Sequence, residues 1–151
     1  ADCIKTWARA NASIMGRTEP AAGFSSGPVT VADLNRAFPK DSSVVFVKIR
    51  GEDLETVISD MQPDKISVSG LRIFLKDGTI ERAESATGPL APGRVYHLAV
   101  PDSLVSGHDN SVLSNAMEFV NSKRSVREII GWCFSRRKTI ERPESGRVVK
   151  I

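Results

Sequence analysis

The chain has 151 residues, 40% hydrophobic and 26% charged, enough for one compact domain to bury a real core. Its formal charge of +3 is mild, it holds no run of about 18 apolar residues that could form a membrane-spanning helix, and its two cysteines match no disulfide framework and no zinc spacing. The excess charge gathers late, at Arg136, Arg137, Lys138, Arg142, Arg147 and Lys150. Without interleaved aromatic residues this is thin for nucleic acid, which is not an expected partner; a solvated helix end complementing exposed carbonyls is the plainer reading.

The first residues, Ala1-Asp2-Cys3-Ile4-Lys5, offer neither a charged n-region nor an apolar h-region, so no signal peptide is read in this segment. Starting inside a helical pattern and without an initiator methionine, the sequence is expected to be a processed form or a piece of a longer protein. Residues 1–9 place Ile4, Trp7 and Ala8 on one side of a short amphipathic helix. Ala10 to Met15 is small and apolar and predicts a buried strand. Gly16 to Pro28, rich in Gly, Pro and Ser, predicts a long loop of a length that is often functional. Thr30-Val31-Ala32-Asp33 is a capping box opening a helix that must stop before Pro39.

Ser43 to Ile49 is rich in β-branched residues and predicts a central strand, followed by a helix from Glu52 to about Asp60. Leu71 to Leu75 and Thr79 to Glu84 flank Lys76-Asp77-Gly78, a strong hairpin signal. Val95 to Pro101 predicts another strand, ended by a proline that cannot donate to a ladder. Ser125-Val126-Arg127-Glu128 is a second capping box, after which Val126, Ile129, Ile130 and Cys133 share one helical face. Helices and strands mix without a regular βαβ rhythm. The expected fold class is α+β, a single domain with a mixed β-sheet covered by helices.

Catalytic chemistry is hard to find. Two-metal phosphoester hydrolysis needs several His, Asp and Asn ligands around ions about 3.5–4 Å apart, and the chain has only His97 and His108. His97 follows Tyr96 in a predicted strand and fits solvent or a satisfied contact; His108 beside Asp109 is a weak loop signal. Metalloprotease, nucleophile-elbow and phosphate-loop motifs are all missing. No catalytic residue, metal ligand or cofactor is therefore expected in this segment. Asn11-Ala12-Ser13 is a glycosylation sequon, but it falls in the predicted buried strand. Trp7 and Trp132 each lie on the apolar side of a terminal helix and predict core or helix-to-helix packing. Cys3 and Cys133 fit two buried free thiols; a bond between them would require the two terminal helices to touch.

A spaced series of segments goes further. Gly27-Pro28-Val29-Thr30, Phe38-Pro39, Arg50-Gly51-Glu52-Asp53-Leu54, Val68-Ser69-Gly70-Leu71-Arg72, Gly93-Arg94-Val95-Tyr96, Ser106-Gly107-His108-Asp109 and Gly146-Arg147-Val148 follow one another along nearly the whole chain. In this order and at these separations they resemble the C-terminal, substrate-recognition domain of the 5′-nucleotidase family. The resemblance implies one domain over residues 1–151. It also implies a separate N-terminal metallophosphoesterase domain as partner, with any divalent metals held there, a nucleotide or nucleoside as a possible ligand, and a secreted, periplasmic or cell-surface location for the parent.

The positions that touch substrate in relatives depart from the pattern. Where relatives carry Asn-Gly-Gly-Gly-Ile-Arg, with an arginine that meets the substrate, this chain reads Gly16-Arg17-Thr18-Glu19-Pro20-Ala21. The two aromatic rings that hold the base are replaced by Lys40 and Ser103, and the asparagine of the Pro-Phe-Gly-Asn turn by Ser42. Stacking is worth about 1–3 kcal/mol per base, so base recognition in the family manner is expected to be weakened by orders of magnitude. The substrate-binding residues that remain are Asp109 with its neighbours Gly107 and His108, and Arg17, which lies in the right loop but four positions early. Arg72 reads as structural. The sequence thus predicts a non-catalytic substrate-recognition domain of a 5′-nucleotidase-like hydrolase; the alternative is a protein-interaction module that reuses the Gly16–Pro28 and Leu104–Ser111 loops.

Overall fold

Alternation along two inner strands sets the architecture. In a computed structural model describing residues 1–17, 20–106, 115–143 and 145–151, strand β2 (Ser43–Arg50) sends Val45, Val47 and Ile49 into one apolar cluster and Val44 and Phe46 into another. Strand β7 (Val95–Pro101) does the same, with Tyr96, Leu98 and Val100 on the first side and Ala99 on the second. A sheet apolar on both faces must be covered on both. Around these strands stand β1 (Ala12–Gly16), β3 (Ile66–Ser69) and β8 (Glu118–Ser125), in the order β3-β1-β7-β2-β8. The sheet is mixed, since β1 and β7 run parallel while the other neighbours are antiparallel.

Three helices cover the second face: α1 (Asp2–Ala8), α2 (Val31–Ala37) and α5 (Val126–Arg136). Both capping boxes form as the sequence predicts. Thr30 Oγ1 accepts from the Asp33 amide at 3.2 Å, and Ser125 Oγ accepts from the Glu128 amide at 3.1 Å. Hydrogen bonds from the Thr30 amide and hydroxyl, in that order, hold the Asp33 carboxyl below its ordinary range. The first face packs on α3 (Gly51–Asp60) and on a second sheet. That sheet consists of β4 (Leu71–Lys76), β5 (Thr79–Ser85), β6 (Gly88–Pro89) and β9 (Val148–Lys150), in the order β6-β5-β4-β9. Asp77 and Gly78, both at positive φ, form the turn between β4 and β5, as an Asp-Gly hairpin requires.

The mixed sheet covered by helices is as expected, except that the strands divide between two sheets. Gly70 is where the chain passes from β3 to β4. It has φ +79°, and a Cβ there would lie 2.2 Å from the Asn11 carbonyl oxygen. Gly51 is similarly constrained, with a Cβ falling 2.2 Å from the Ala91 carbonyl oxygen and 3.2 Å from the Tyr96 ring. The Tyr96 hydroxyl in turn accepts from the Ala91 amide at 3.0 Å.

Several expectations are corrected. Cys3 and Cys133 form a disulfide rather than standing as free thiols. Helices α1 and α5 pack side by side, bringing the two Cα atoms to 5.7 Å, within bonding reach. Trp132 is 39% exposed beside Arg136 rather than buried between helices, whereas Trp7 does pack, stacking on Phe46. Asn11 precedes β1 on the surface, its Oδ1 accepting from the His97 amide at 2.8 Å. The chain ends are joined as well. Arg147 forms an ion pair with Asp2 at 2.8 Å and donates to the Val68 carbonyl at 3.0 Å.

Candidate functional site

Helix α2 ends because Pro39 follows, and the turn after it opens a recess. Phe38 closes the helix through its amide, which bonds the Leu34 carbonyl at 2.9 Å, and packs its ring inward at 6% exposure. From there Pro39, Lys40, Asp41 and Ser42 cross the surface to β2. The backbone of this turn is held by α5. The Arg127 guanidinium donates to the Phe38 carbonyl from Nη2 at 2.7 Å and from Nε at 3.1 Å, and to the Pro39 carbonyl at 3.2 Å. The Val126 amide adds a bond to the Ser42 carbonyl at 2.8 Å, so the first turn of α5 grips both ends of the segment. On the other side the Ala21 amide bonds the Ala37 carbonyl at 2.7 Å, fastening the long loop to the end of α2.

Opposite the turn stands α4 (Asp102–Val105), one turn of helix after β7. Between them lies a cavity of about 340 Å³ whose walls include Phe38, Lys40, Ser42, Ser103, Leu104 and Val126. Its lining combines apolar side chains with the polar Lys40, Ser42 and Ser103. Lys40 makes no hydrogen bond or ion pair with any described residue, and the half-buried Ser42 hydroxyl is likewise free of described partners. No carboxylate is among the described lining residues; Asp41, between Lys40 and Ser42, does not line the cavity. A second cavity of about 310 Å³, beside Arg9, Phe46, His97 and Val120, has its lysine committed, since Lys48 is paired with Glu118. The first cavity lies between the two positions matched to the family's rings, Lys40 and Ser103, and is the better candidate.

The sequence-derived residues are placed unequally. Lys40 and Ser103, the positions matched to the two rings, face one cavity, and Ser42 joins them. Arg17 is not among its described walls. Its backbone amide bonds the Lys65 carbonyl at 2.8 Å and its Nε the Ile66 carbonyl at 3.1 Å, so it is engaged along β3. Gly107, His108 and Asp109 lie outside the described residues, as do Thr18 and Glu19. Arg127 was missed by sequence reasoning. Nothing local distinguishes it from any helix-surface arginine, because the carbonyls it holds are 89 and 88 residues away. Among the described residues, no group of three or more His, Cys, Asp or Glu side chains could hold a metal ion.

Solved structures with the same fold include a 5′-nucleotidase precursor from Thermus thermophilus, at 22% identity and a TM-score of 0.83, the match covering 99% of this chain and 34% of that one. The NAD nucleotidase of Haemophilus influenzae aligns at 15% identity and a TM-score of 0.83 over 99% of this chain and 32% of its own. The Thermus thermophilus sulfate thiohydrolase SoxB aligns at 19% and 0.69, over 99% and 30%. The chain thus spans about a third of the length of the solved structures it matches. No curated protein sequence matches it. A family model described as the 5′-nucleotidase C-terminal domain matches residues 1–116, and with the segment order and the two-sheet fold above, the chain belongs to the 5′-nucleotidase C-terminal domain family.

Proposed function

We propose that the chain is the non-catalytic substrate-recognition domain of a 5′-nucleotidase-like metallophosphoesterase, and that the cavity between Lys40 and Ser103 is its substrate-facing wall. One observation carries this reading. A recess of about 340 Å³ stands between the two positions at which, by resemblance, relatives hold a base. Metals and the attacking water belong, on this reading, to an N-terminal metallophosphoesterase domain. The present chain contributes orientation, which alone can supply much of an enzyme's rate advantage. By the family resemblance, Gly107, His108, Asp109 and Arg17 are the further residues proposed to meet the substrate. The bond between Asp2 and Arg147 supports treating residues 1–151 as one domain. The Cys3–Cys133 disulfide fits an oxidising compartment, and so a secreted, periplasmic or cell-surface parent.

The test has two arms. The 151-residue chain supplied with Mn²⁺ should not hydrolyse p-nitrophenyl phosphate or AMP, and turnover by it alone would overturn the reading. In the parent protein, Leu104→Trp, which fills the recess, should raise KM for a phosphoester substrate with little loss of bound metal; an unchanged KM would also overturn it. A second reading, a protein-interaction module on the same scaffold, is favoured by the exposed Met117, Phe119 and Val120 on and beside the edge strand β8. It expects no effect of Leu104→Trp on turnover and loss of a partner on Val120→Lys.

A further inference from the structure

Resting on the substrate-wall reading, we propose that the recess selects a compact organic anion, a carboxylate or phosphate on a short aliphatic body, with Lys40 as the specificity-determining cation. Stacking requires a flat aromatic surface on which the base can lie. Phe38 is the only aromatic residue among the described walls, and it is 6% exposed, its ring turned into the second apolar cluster rather than offered to a ligand. No facing pair of rings exists among those walls. The recess instead presents donors. Lys40 carries three N–H groups and no acceptor, and the Ser42 hydroxyl can donate. Neither is used by a described residue, and no described wall residue carries a carboxylate to neutralise the ammonium.

Size and lining agree with this. At about 340 Å³ the recess lies at the lower end of the range for small-molecule sites, roughly 300–1,000 Å³. Leu104, Val126, Ala21 and Phe38 give the lining apolar surface for a few methylene groups. An ammonium is a compact, strongly hydrated point charge that recognises anions without demanding a planar partner, and hydrogen bonds to an ionised group are roughly twice as strong as neutral ones. Arg127, consumed by the Phe38 and Pro39 carbonyls, fixes the turn, and among the described walls Lys40 is the cation available to a ligand.

Heteronuclear NMR titration of the 151-residue protein tests the proposal, with glycerate carrying the carboxylate, glycerol 3-phosphate the phosphate, glycerol as the neutral body, and adenosine as the stackable base. One or both anions should produce saturable shifts at residues 38–42 and 103–104. Glycerol should produce none, and added salt should weaken the anion response. Lys40→Met should weaken binding about tenfold, as loss of a charge-assisted contact does, while Lys40→Arg should restore most of it. Anion binding unaffected by Lys40→Met would overturn the proposal. Saturable adenosine shifts in the recess, indifferent to Lys40→Met, would overturn it too but leave the substrate-wall reading standing. Silence from all four probes would remove both.

Discussion

Two parts of this molecule treat their side chains in opposite ways. Around Gly51, Gly70, Tyr96 and the Asp2–Arg147 pair, the segments that match the family pattern are locked by contact: backbone oxygens lie 2.2 Å from where a Cβ would be, and every polar head named there has a partner. Around the recess, the Lys40 and Ser42 side chains, which depart from the pattern, have no partner among the described residues. Gly51 and Gly70 mark places where the backbone has no room, whereas Gly27, Gly93 and Gly146 of the same pattern have nothing within 4 Å of a Cβ. Lys40 and Ser42, proposed to face a ligand, lie on a turn whose backbone is held from outside, by Arg127 and Val126, so the side chains on it can differ without disturbing the fold.

Substitutions on the two sides should accordingly separate by size. The largest effect belongs to the Cys3–Cys133 bond, which joins residues 130 apart in sequence. Losing a native disulfide commonly costs about 2–5 kcal/mol, so Cys133→Ala should lower the urea midpoint by that equivalent, as should reduction of the wild type. Next comes Gly70→Ala, which meets both a left-handed backbone and a carbonyl at 2.2 Å, and should cost about 3 kcal/mol or more. Gly78→Ala gives the control. Its φ of +81° is equally unfavourable but nothing lies within 4 Å, so only the conformational term of about 1–2 kcal/mol remains. Equal losses at the two glycines would mean that contact is not what constrains the pattern.

The same split explains what could be read from the sequence. Helix starts were legible because a capping box is settled within four residues, at Thr30–Asp33 and Ser125–Glu128, and the β4–β5 hairpin because Asp77-Gly78 carries its own turn geometry. Strand β8 was not. Its Glu118, Phe119 and Val120 are all exposed, so no alternation survives to mark it, and its partner β2 lies far back along the chain. The short β9, the disulfide and the role of Arg127 failed for the same reason, each depending on partners the chain supplies only after folding. Lys40, Ser42 and Ser103 were found through their place in the family pattern and not through any chemistry of their own.

A smaller effect should follow pH. Partial burial raises the Asp2 pKa, but the hydrogen bonds from Arg147 and Ser69, with the charge of Arg147, outweigh it and leave the carboxyl below its ordinary value. A depressed folded-state value stabilises above the unfolded pKa, and that stability is lost as pH falls through the folded one. Stability should therefore hold at neutral pH and decline below about pH 4. Asp2→Asn should remove that part of the acid slope and cost only about 1 kcal/mol at pH 7, because solvent reaches and screens the pair. A slope unchanged by Asp2→Asn would show that the ion pair adds nothing to the backbone bonds and packing that hold the C-terminal segment.

The smallest expected change is the sharpest test of the contrast. Lys40 lies on the surface, bonds no described residue and borders a recess already open to solvent, so Lys40→Met removes no contact and leaves no buried group unsatisfied. Surface substitutions of that kind usually stay within about 0.5 kcal/mol, and the denaturation midpoint should not move beyond that. Arg127→Met, at the second residue of α5, should behave differently, because it releases the part-buried Phe38 carbonyl and the exposed Pro39 carbonyl together, at a cost of about 1 kcal/mol or somewhat more. The pair thus distinguishes the side chain proposed to meet a ligand from the one that holds the turn. A Lys40→Met protein as unstable as Arg127→Met would mean that the rim of the recess is part of the scaffold, and that the turn's freedom to vary is illusory.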